Sequence, residues 1–321
     1  MFDKTGFFFG SKEENWYLCR SSRKKKTYDI AMYEITQKKL LAPNIYYMEV
    51  YAPRVAASAL PGQFVIVRTG EWGERIPLTV VDYDRQKGTV AIVVQIVGAS
   101  SRKICALEQN DRFTDFVGPL GQPSEFVHES DEELRSKKRL FIAGGVGAAP
   151  VYPQVKWLRE RGASADVIIG GKTRDFILLD KEMEALGATL HIATDDGSRG
   201  YHGMVTGLFK QLMESGARFD QVIAIGPMIM MKFVALATKE YDIPTIASLN
   251  SMMVDGTGMC GACRVMVGGK VRFTCVDGPE FDAHQVDFDL AMRRGAMFRE
   301  EEKERDCRCM EQLAEKAANN Q

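Results

Sequence analysis

Three cysteines and one aspartate near the end of the 321-residue chain have a spacing that could bind a metal cluster. They are Asp255, Cys260, Cys263 and Cys275, spaced Asp-x4-Cys-x2-Cys-x11-Cys within a glycine-rich segment. A plant-type [2Fe–2S] loop spaces its ligands as Cys-x4-Cys-x2-Cys, with a distant fourth cysteine. Here a carboxylate takes the first position, and its harder oxygen donor would alter the potential of a bound cluster. The spacing predicts a [2Fe–2S] site with one unusual ligand.

Two other interpretations of the same segment stay open at this point. Zinc is one, because Cys260 and Cys263 form a Cys-x2-Cys pair and a carboxylate can ligate zinc. A zinc ribbon usually has a second Cys-x2-Cys pair, which the sequence lacks. The other is a glycine-rich turn with incidental cysteines. The glycine density between Asp255 and Cys263 favours a loop that wraps a cluster and turns its backbone N–H groups towards the sulfides.

A second glycine-rich segment, FIAGGVGAAP, could bind a pyrophosphate. Gly144, Gly145 and Gly147 directly follow a predicted strand, and Pro150 stands in the first turn of a predicted helix. Glycines let the backbone approach a phosphate closely, and the helix N-terminus offers unpaired N–H groups. The alternative is an ordinary glycine turn between strand and helix, because Pro150 replaces the last glycine of the Gly-x-Gly-x-x-Gly pattern.

Acidic residues follow a later predicted strand in the segment IATDDGSRG. The carboxylates of Asp195 and Asp196 could accept hydrogen bonds from ribose hydroxyls and would repel a 2′-phosphate. This pattern predicts a preference for NADH over NADPH. The alternative is an acidic turn, in which aspartate is used for its turn geometry.

Polar residues in the first third of the chain could hold another phosphate. Arg75 and Thr79 flank a short apolar run, and Gly98, Ser100 and Ser101 follow a predicted strand. Arginine can pair with a phosphate, and hydroxyl and amide groups after a glycine can complete its shell. Without other context, a strand charge and a polar turn are the simpler interpretation of these residues.

Apolar patterning predicts the elements that must position these groups. From 32 to 130, short alternating runs broken by turns indicate an antiparallel β barrel. From 131 to 247, a strand-to-helix rhythm indicates an α/β domain with a parallel sheet and crossover helices. Residues 248–286 would form a small [2Fe–2S] loop domain. Residues 287–321 would form a charged helical tail, either solvated or docked.

The two ends of the chain differ in composition from the middle. Residues 1–31 are polar and charged without a sustained period, which predicts a poorly ordered extension or a gene start assigned too early. Cys307 and Cys309 lie in the helical tail as Cys-x-Cys without further ligand-like spacing, and we interpret them as incidental thiols.

Composition excludes several classes of function. The chain has 42 basic and 43 acidic residues, which gives a formal net charge of −1 and argues against nucleic-acid binding. Its apolar runs are too short and glycine-rich to span a bilayer, and no secretory signal is recognisable. Seven cysteines, three of them clustered, suit a reducing compartment. We therefore expect a soluble cytoplasmic protein.

Seven motifs follow one another between residues 32 and 300: PGQFVIVR, ERIPLT, GPLG, AGGVGAAPVYP, TDDGS, MVDGTGMCGACRV and CVDGPEFDAHQVDFD. In this order they resemble the ferredoxin–NADP reductase-like flavoproteins. The chain is most similar to dihydroorotate dehydrogenase electron-transfer subunits and to the small (alpha) subunits of NADH-dependent reduced ferredoxin:NADP oxidoreductase. Dihydroorotate-type subunits have four cysteines at the cluster, whereas Asp255 and the run after Cys275 resemble the second family.

The resemblance implies three cofactor sites and assigns no side chain a catalytic role, because Ile225 replaces a cysteine that many relatives have near the nicotinamide. FAD would be held by Arg75, Pro77, Leu78, Thr79, Gln95, Ile96, Ser100 and Ser101. The nicotinamide nucleotide, NAD(H), would be held by Gly144, Gly145, Val146, Gly147, Asp195, Asp196, Gly226 and Pro227. The [2Fe–2S] ligands would be Asp255, Cys260, Cys263 and Cys275.

The resemblance also implies a redox relay within a larger assembly. Electrons would move between NAD(H), FAD and the [2Fe–2S] cluster, and on to a larger subunit with a second flavin and [4Fe–4S] clusters, where NADPH and ferredoxin react. This chain has no cysteine set for a [4Fe–4S] cluster of its own. One alternative is a subunit that passes electrons from dihydroorotate oxidation to NAD⁺. A non-enzymatic alternative is a scaffold protein that holds zinc.

Overall fold

Eight strands and three short helices form the first part of the structure. The computed structural model describes residues 33–319, with the side chains of residues 33–311. The extension expected over residues 1–31 lies outside this range. The first elements are β1 (Tyr33–Ala42), β2 (Ile45–Tyr51), α1 (Pro53–Ser58), β3 (Phe64–Arg68), β4 (Ile76–Thr79), β5 (Asp82–Asp84), β6 (Thr89–Gln95), α2 (Ala99–Cys105), β7 (Arg112–Phe113), β8 (Asp115–Leu120) and α3 (Asp131–Ser136).

These strands pair antiparallel in two sheets around one apolar core. One sheet has the order β5-β6-β2-β1-β7 and the other β4-β3-β8. β-Branched residues fit the pleated surfaces of both sheets, and Val50, Val65, Val67 and Ile92 are fully buried between them with Phe116. The antiparallel barrel expected from the alternating runs is confirmed. It places β4, the strand of the ERIPLT motif, at the edge of the smaller sheet.

A mostly parallel sheet flanked by helices forms the second part. Its elements are β9 (Arg139–Gly144), α4 (Ala148–Glu160), β10 (Asp166–Gly171), α5 (Asp180–Ala185), β11 (Thr189–Thr194), β12 (Tyr201–His202), α6 (Val205–Glu214), β13 (Gln221–Ile225), α7 (Met228–Lys239) and β14 (Thr245–Ser248). The strand order is β12-β11-β10-β9-β13-β14, all parallel. Val151 and Val155 of α4 cover one face, and Phe209 of α6 and Val234 of α7 cover the other. Because both faces are buried, the central strands β9, β10 and β13 are apolar after their first residue.

The cysteine-rich segment contains a hairpin, one helical turn and a further strand: β15 (Arg264–Val267), β16 (Lys270–Phe273), α8 (Thr274–Asp277) and β17 (Glu280–Asp282). β15 and β16 pair antiparallel around Gly268 and Gly269, both with positive φ. β17 pairs antiparallel with β14 and extends the nucleotide sheet by one strand. We predicted a separate loop domain for residues 248–286. The sequence did not indicate β17, because three residues are too few to show an alternating pattern.

The tail forms two helices, α9 (Phe288–Gly295) and α10 (Arg299–Asn319). α10 is docked, because its Asp306 forms a bidentate ion pair with Arg102 of α2. Cys307 is exposed, whereas Cys309 is only 4% exposed. Across residues 33–319, no helix is long and apolar enough to cross a membrane.

Candidate functional site

The β15–β16 hairpin brings two of the predicted ligands into contact. Cys263 precedes the hairpin and Cys275 follows it, so the antiparallel register places them side by side. Their sulfur atoms are 3.2 Å apart, and the two residues are 1% and 2% exposed. The buried Thr274 fixes this closure, because both its N–H and its hydroxyl donate to the carbonyl of Cys263 at 3.2 and 2.9 Å. The hairpin therefore brings together two predicted ligands that are separated by eleven residues in the sequence.

The other two predicted ligands form a second pair nearer to solvent. The Cys260 thiol donates to Oδ1 of Asp255 at 3.1 Å, and Cys260 is exposed. Oδ2 of Asp255 accepts from the Thr257 hydroxyl at 2.7 Å and from the Met259 N–H at 3.1 Å. The hydrogen bond from Cys260, followed by that from Thr257, lowers the pKa of the Asp255 carboxyl strongly. The carboxylate is therefore ionised and available as an oxygen donor.

The arrangement of donors in two pairs bears on the kind of metal. Among the described residues, no group of three or more His, Cys, Asp or Glu side chains converges as it would on one ion. A single structural zinc gathers four donors around one centre, whereas a [2Fe–2S] cluster takes two protein ligands on each iron. The pairs Asp255–Cys260 and Cys263–Cys275 therefore fit a two-iron cluster better than zinc.

Glycines allow the loop between the two pairs to fold tightly. Gly256, Gly258 and Gly261 all have positive φ, a conformation that side chains rarely adopt. The N–H of Gly258 hydrogen-bonds to the Cys275 sulfur, which links the loop of the outer pair to the inner pair. Burial, and then the hydrogen bond with Cys263, raises the pKa of the Cys275 thiol. Iron binding must therefore displace a tightly held proton.

The cluster loop packs directly on the barrel. A Cβ added to Gly256 would lie 2.4 Å from Cδ1 of Ile66 on β3 and 3.0 Å from Cδ1 of Leu120 on β8. Ile66 and Phe64 of β3 share one buried apolar cluster with the inner pair of cysteines. β4, which contains the predicted FAD residues Pro77, Leu78 and Thr79, is the hydrogen-bonded neighbour of β3. β4 thus lies about 4.8 Å from β3, the usual distance between paired strands. The cluster loop packs on β3 through Ile66, so β3 contacts both the proposed flavin strand and the cluster loop.

Arg75, predicted to bind FAD, contacts the cluster loop instead of standing free. Its Nε donates to the carbonyl of Val254 at 2.9 Å, and its Nη2 donates to the carbonyl of Asp255 at 3.3 Å. Its Nη1 lies 3.8 Å from a carboxylate oxygen of Asp115 on β8. The sequence did not predict this role for Arg75, because nothing in a local motif relates it to a loop 179 residues away.

The remaining predicted FAD residues lie at the ends of β6 and α2. Gln95 ends β6, and the Ile96 N–H donates to the carbonyl of Asn44. The Ser101 hydroxyl accepts the N–H groups of Val97 and Gly98 at 2.9 and 3.0 Å, so it stabilises its own turn. The Ser100 hydroxyl donates to the Glu74 carboxylate just before β4. Ser100 and Arg75 are thus brought to the same end of the barrel.

The two predicted nucleotide-binding turns meet at the centre of the parallel sheet. Gly144 ends β9 and Gly145, Val146 and Gly147 follow it, whereas Gly226 and Pro227 follow the adjacent β13. A Cβ on Gly147 would lie only 2.2 Å from the carbonyl oxygen of Ile225, so the two backbones touch. The chain leaves β9 towards β10 on one side and reaches β13 on the other, which makes this gap the topological switch point, where α/β sheets bind nucleotides.

Asp195 and Asp196 stand apart from this gap, at the carboxyl end of β11, two strands from β9. The Asp196 carboxylate accepts hydrogen bonds from the hydroxyl and the N–H of Ser198 at 2.6 and 3.0 Å, and these bonds lower its pKa. Asp196 therefore stabilises its own turn. Asp195 is exposed and has no side-chain partner among the described residues. Of the two carboxylates, only that of Asp195 is free to meet a ribose.

Comparisons with known proteins agree with this layout. Residues 250–287 match the iron–sulfur cluster binding domain of dihydroorotate dehydrogenase B, and residues 141–236 match the oxidoreductase NAD-binding domain. A Thermotoga maritima homologue of the dihydroorotate dehydrogenase B (NAD(+)) electron transfer subunit is 42% identical over 85% of this chain and 94% of its own length. The chain belongs to this family of electron-transfer subunits.

Two further relatives are similar over nearly their whole length. A Clostridium beijerinckii protein from the adh 3′ region is 55% identical over 84% of this chain and 92% of its own length. A chain from the structure of NADH-dependent reduced ferredoxin-NADP oxidoreductase, studied for flavin-based electron bifurcation, is 40% identical, with a TM-score of 0.80 over 87% of this chain and 98% of that one. The family is one of oxidoreductases with FAD, NAD(H) and an iron–sulfur cluster as cofactors.

A carboxyl group near the predicted sites was not predicted from the sequence. Oε1 of Glu280, on β17, accepts from the Ser124 hydroxyl at 2.9 Å and from the Gln154 amide at 3.0 Å. Ser124 follows the barrel and Gln154 lies on α4, so Glu280 stands where barrel, nucleotide sheet and cluster segment meet. Removal from water raises its pKa to about 7. Glu280 lies within the motif CVDGPEFDAHQVDFD, but its partners are distant in the chain, so nothing local indicates its role.

Proposed function

We propose that this chain is the small subunit of an NADH-dependent ferredoxin:NADP oxidoreductase that bifurcates electrons. It exchanges electrons with NAD(H) and delivers them to, or receives them from, a larger subunit that carries flavin and [4Fe–4S] clusters and reacts with NADPH and ferredoxin. The single observation that carries the proposal is the packing of the Asp255–Cys275 loop on β3, beside the β4 strand of the flavin motif. The proposed flavin and cluster sites then share one strand of the barrel, β3.

In this proposal the chain's own residues position, insulate and expose the cofactors. The glycine turns after β9 and β13 would hold the nucleotide diphosphate, and Asp195 the ribose. Bound FAD supplies the exchange between a two-electron hydride and single electrons, and the cluster accepts one electron at a time. Cys263 and Cys275, buried against the barrel, would hold the iron on the flavin side and exclude water. Asp255 and Cys260 would hold the iron that faces solvent and a partner.

The cofactor content of protein purified without oxygen tests this proposal. We expect one FAD and two iron atoms per chain, with flavin absorbance near 450 nm, a feature typical of flavins, overlaid by sulfide-to-iron charge transfer. The partner subunit should copurify, and the complex should reduce NADP⁺ from NADH together with reduced ferredoxin. A colourless protein with one zinc would overturn the proposal in favour of a scaffold.

The second candidate is an electron-transfer subunit that serves dihydroorotate oxidation. The match of residues 250–287 to the dihydroorotate dehydrogenase B domain favours it, whereas the carboxylate at Asp255 favours the first candidate. Purification of the native complex separates the two. A partner that oxidises dihydroorotate with NAD⁺ would establish the second candidate, and a partner with [4Fe–4S] clusters and NADPH activity would establish the first.

A further inference from the structure

The C-terminal helix α10 is held firmly against the barrel helix α2. Nε and Nη2 of Arg102 donate to the two carboxylate oxygens of Asp306, each at 3.0 Å, in a bidentate pair. Cys309, one turn further on, is 4% exposed, and its sulfur lies 3.9 Å from the carbonyl of Ala99. Bidentate arginine–carboxylate pairs restrict orientation as well as distance. The side chains that precede and follow Asp306 on α10 therefore have defined positions over α2.

A cavity of about 250 Å³ lies between α10, α2 and the loop before β4. Ser100 and Ile76, which belong to or adjoin the predicted FAD motifs, line it on the barrel side. Arg305 and Arg308 line it on the α10 side. The tail helix thus covers the same end of the barrel at which the flavin motifs converge.

The charge of this cavity favours an anion. Its charged lining consists of the cations Lys103, Arg305 and Arg308 and a single carboxylate, Glu74. Glu74 is already compensated, because it accepts from Ser100 and pairs with Arg305. The Arg308 guanidinium reaches only a backbone carbonyl of its own helix, at 3.4 Å. Lys103 has no hydrogen-bond or ion-pair partner among the described residues. Three cations against one carboxylate leave a net charge of +2 in a confined space. Only Nη1 of Arg305 reaches Glu74, so its Nε and Nη2 have no partner among the described residues.

We propose that α10 completes the flavin site, with Arg305 and Arg308 binding the diphosphate of FAD. The proposal rests on the assignment of FAD to β4 and α2 made above, and it extends that site to a helix outside the predicted motifs. The cavity is too small for the whole cofactor, so it takes the central diphosphate, with the isoalloxazine towards β4 and the adenosine outside the cavity. Arginine binds phosphate oxygens through charge-assisted, bidentate hydrogen bonds. Arg102 and Asp306 are positioning residues that hold α10 in place.

The affinity of the full-length chain for FAD tests the proposal directly. Apoprotein is titrated with FAD, and the dissociation constant is obtained from the quenching of flavin fluorescence at several salt concentrations. We expect Arg305→Gln and Arg308→Gln to weaken FAD binding by about tenfold or more each, because a hydrogen bond to a charged group contributes roughly 1.5–3 kcal/mol. Arg305→Lys should recover part of the loss, and both glutamine variants should flatten the salt dependence.

A matched variant on the same helix controls for net charge. Lys303→Gln removes one positive charge from α10, but Lys303 pairs only with Glu300 and lies outside the cavity lining, so its FAD affinity should equal that of the wild type. Asp306→Asn should weaken FAD binding by releasing α10, with the fold confirmed by circular dichroism.

The outcomes separate this inference from the proposed function. If the double variant R305Q/R308Q binds FAD as tightly as Lys303→Gln does, the role of α10 is wrong while the flavoprotein proposal stands. Tighter binding by the double variant would mean that α10 obstructs the cavity, which also overturns the inference. Wild-type chain that binds no FAD at all would overturn both.

Discussion

The guanidinium of Arg75 donates to the main-chain carbonyl of Asp255, with 3.3 Å between Nη2 and the oxygen. Arg75 immediately precedes β4 of the barrel, and Asp255 is the first proposed ligand of the cluster. A second bond, from Nε to the carbonyl of Val254 at 2.9 Å, makes the contact two-pronged. The carboxylate ligand therefore has its backbone held by the flavin barrel while its side chain faces Cys260. This contact ties the geometry of the outer ligand pair to the barrel.

Replacing Arg75 should loosen the cluster loop. Arg75→Gln loses most of the two-pronged contact, and we expect a cost of about 1–3 kcal/mol, which destabilises the loop more than the whole fold. Iron should be lost to a chelator several-fold faster, measured by the bleaching of charge-transfer absorbance. Arg112→Gln is the matched control, because Arg112 pairs with Glu34 between β7 and β1 of the larger sheet. Equal rates of iron loss in the two variants would contradict a clamping role.

Changes at Asp255 test the unusual ligand. Asp255→Ala should lower iron from two atoms per chain towards none, because the outer iron would retain only Cys260. Asp255→Cys should keep the cluster and shift its potential and its electron paramagnetic resonance signal, because thiolate is a softer donor than carboxylate. Thr257→Val removes one hydrogen bond to the carboxylate and should have a smaller effect. Full iron content in Asp255→Ala would show that another group ligates the outer iron.

Glu280 should make stability depend on pH. Its folded-state pKa of about 7 lies above the ordinary value of 4.5, because burial raises the pKa more than the hydrogen bonds from Ser124 and Gln154 lower it, and the carboxyl of Glu125 adds a smaller increase. Because the folded chain holds this proton more tightly, the stabilisation is complete below about pH 4.5 and is lost as pH rises through about 7. Glu280→Gln resembles the protonated form and should remove this dependence.

Denaturant unfolding of both proteins between pH 5 and pH 8 measures the effect. Between pH 5 and pH 8, the free energy of unfolding of Glu280→Gln should rise relative to that of the wild type by on the order of 1–3 kcal/mol. Glu301→Gln, an exposed change on α10, should follow the wild type at every pH. A constant difference between Glu280→Gln and the wild type would show that the Glu280 carboxyl stays ionised throughout.

The close approach of the two nucleotide turns should make Gly147 intolerant of a side chain. The Cβ of Gly147→Ala would lie 2.2 Å from the backbone oxygen of Ile225, so the turns must separate. We expect a loss of about 1–3 kcal/mol in stability and at least tenfold weaker NADH binding, measured by calorimetry. Gly295→Ala on α9 is the control, because nothing lies within 4 Å of its Cβ. Unchanged NADH affinity in Gly147→Ala would place the nucleotide elsewhere.

Nucleotide preference should depend on Asp195 rather than on Asp196. Asp195→Ala should weaken NADH binding several-fold and narrow the ratio of flavin reduction rates with NADH and NADPH, because the repulsion of a 2′-phosphate is removed. Asp196→Asn keeps a side chain that can accept from Ser198, and we expect little change in preference. A wild-type preference for NADPH, or an unchanged ratio in Asp195→Ala, would refute this assignment.

Some features of the site were predictable because they are local. The positions of Cys260, Cys263 and Cys275 in one glycine-rich segment indicated a cluster loop before any fold was known. The glycines between β9 and α4 indicated a turn, and the repeated strand-to-helix rhythm indicated a parallel sheet. In each case the residues that interact are close in sequence, so side-chain type and spacing determine the geometry.

Contacts between distant segments came only from the tertiary structure. Arg75 and Val254 are 179 residues apart, and Arg102 and Asp306 are 204 apart. Glu280 meets Ser124 across 156 residues. Each residue, alone, is a charged or polar side chain in a turn, a strand end or a helix. Whether it binds a cofactor, holds a loop or keeps a proton depends on which surfaces pack together, and that is decided by the burial of apolar faces over the whole chain. The sequence by itself determined the donors and the local turns, and packing decided their neighbours.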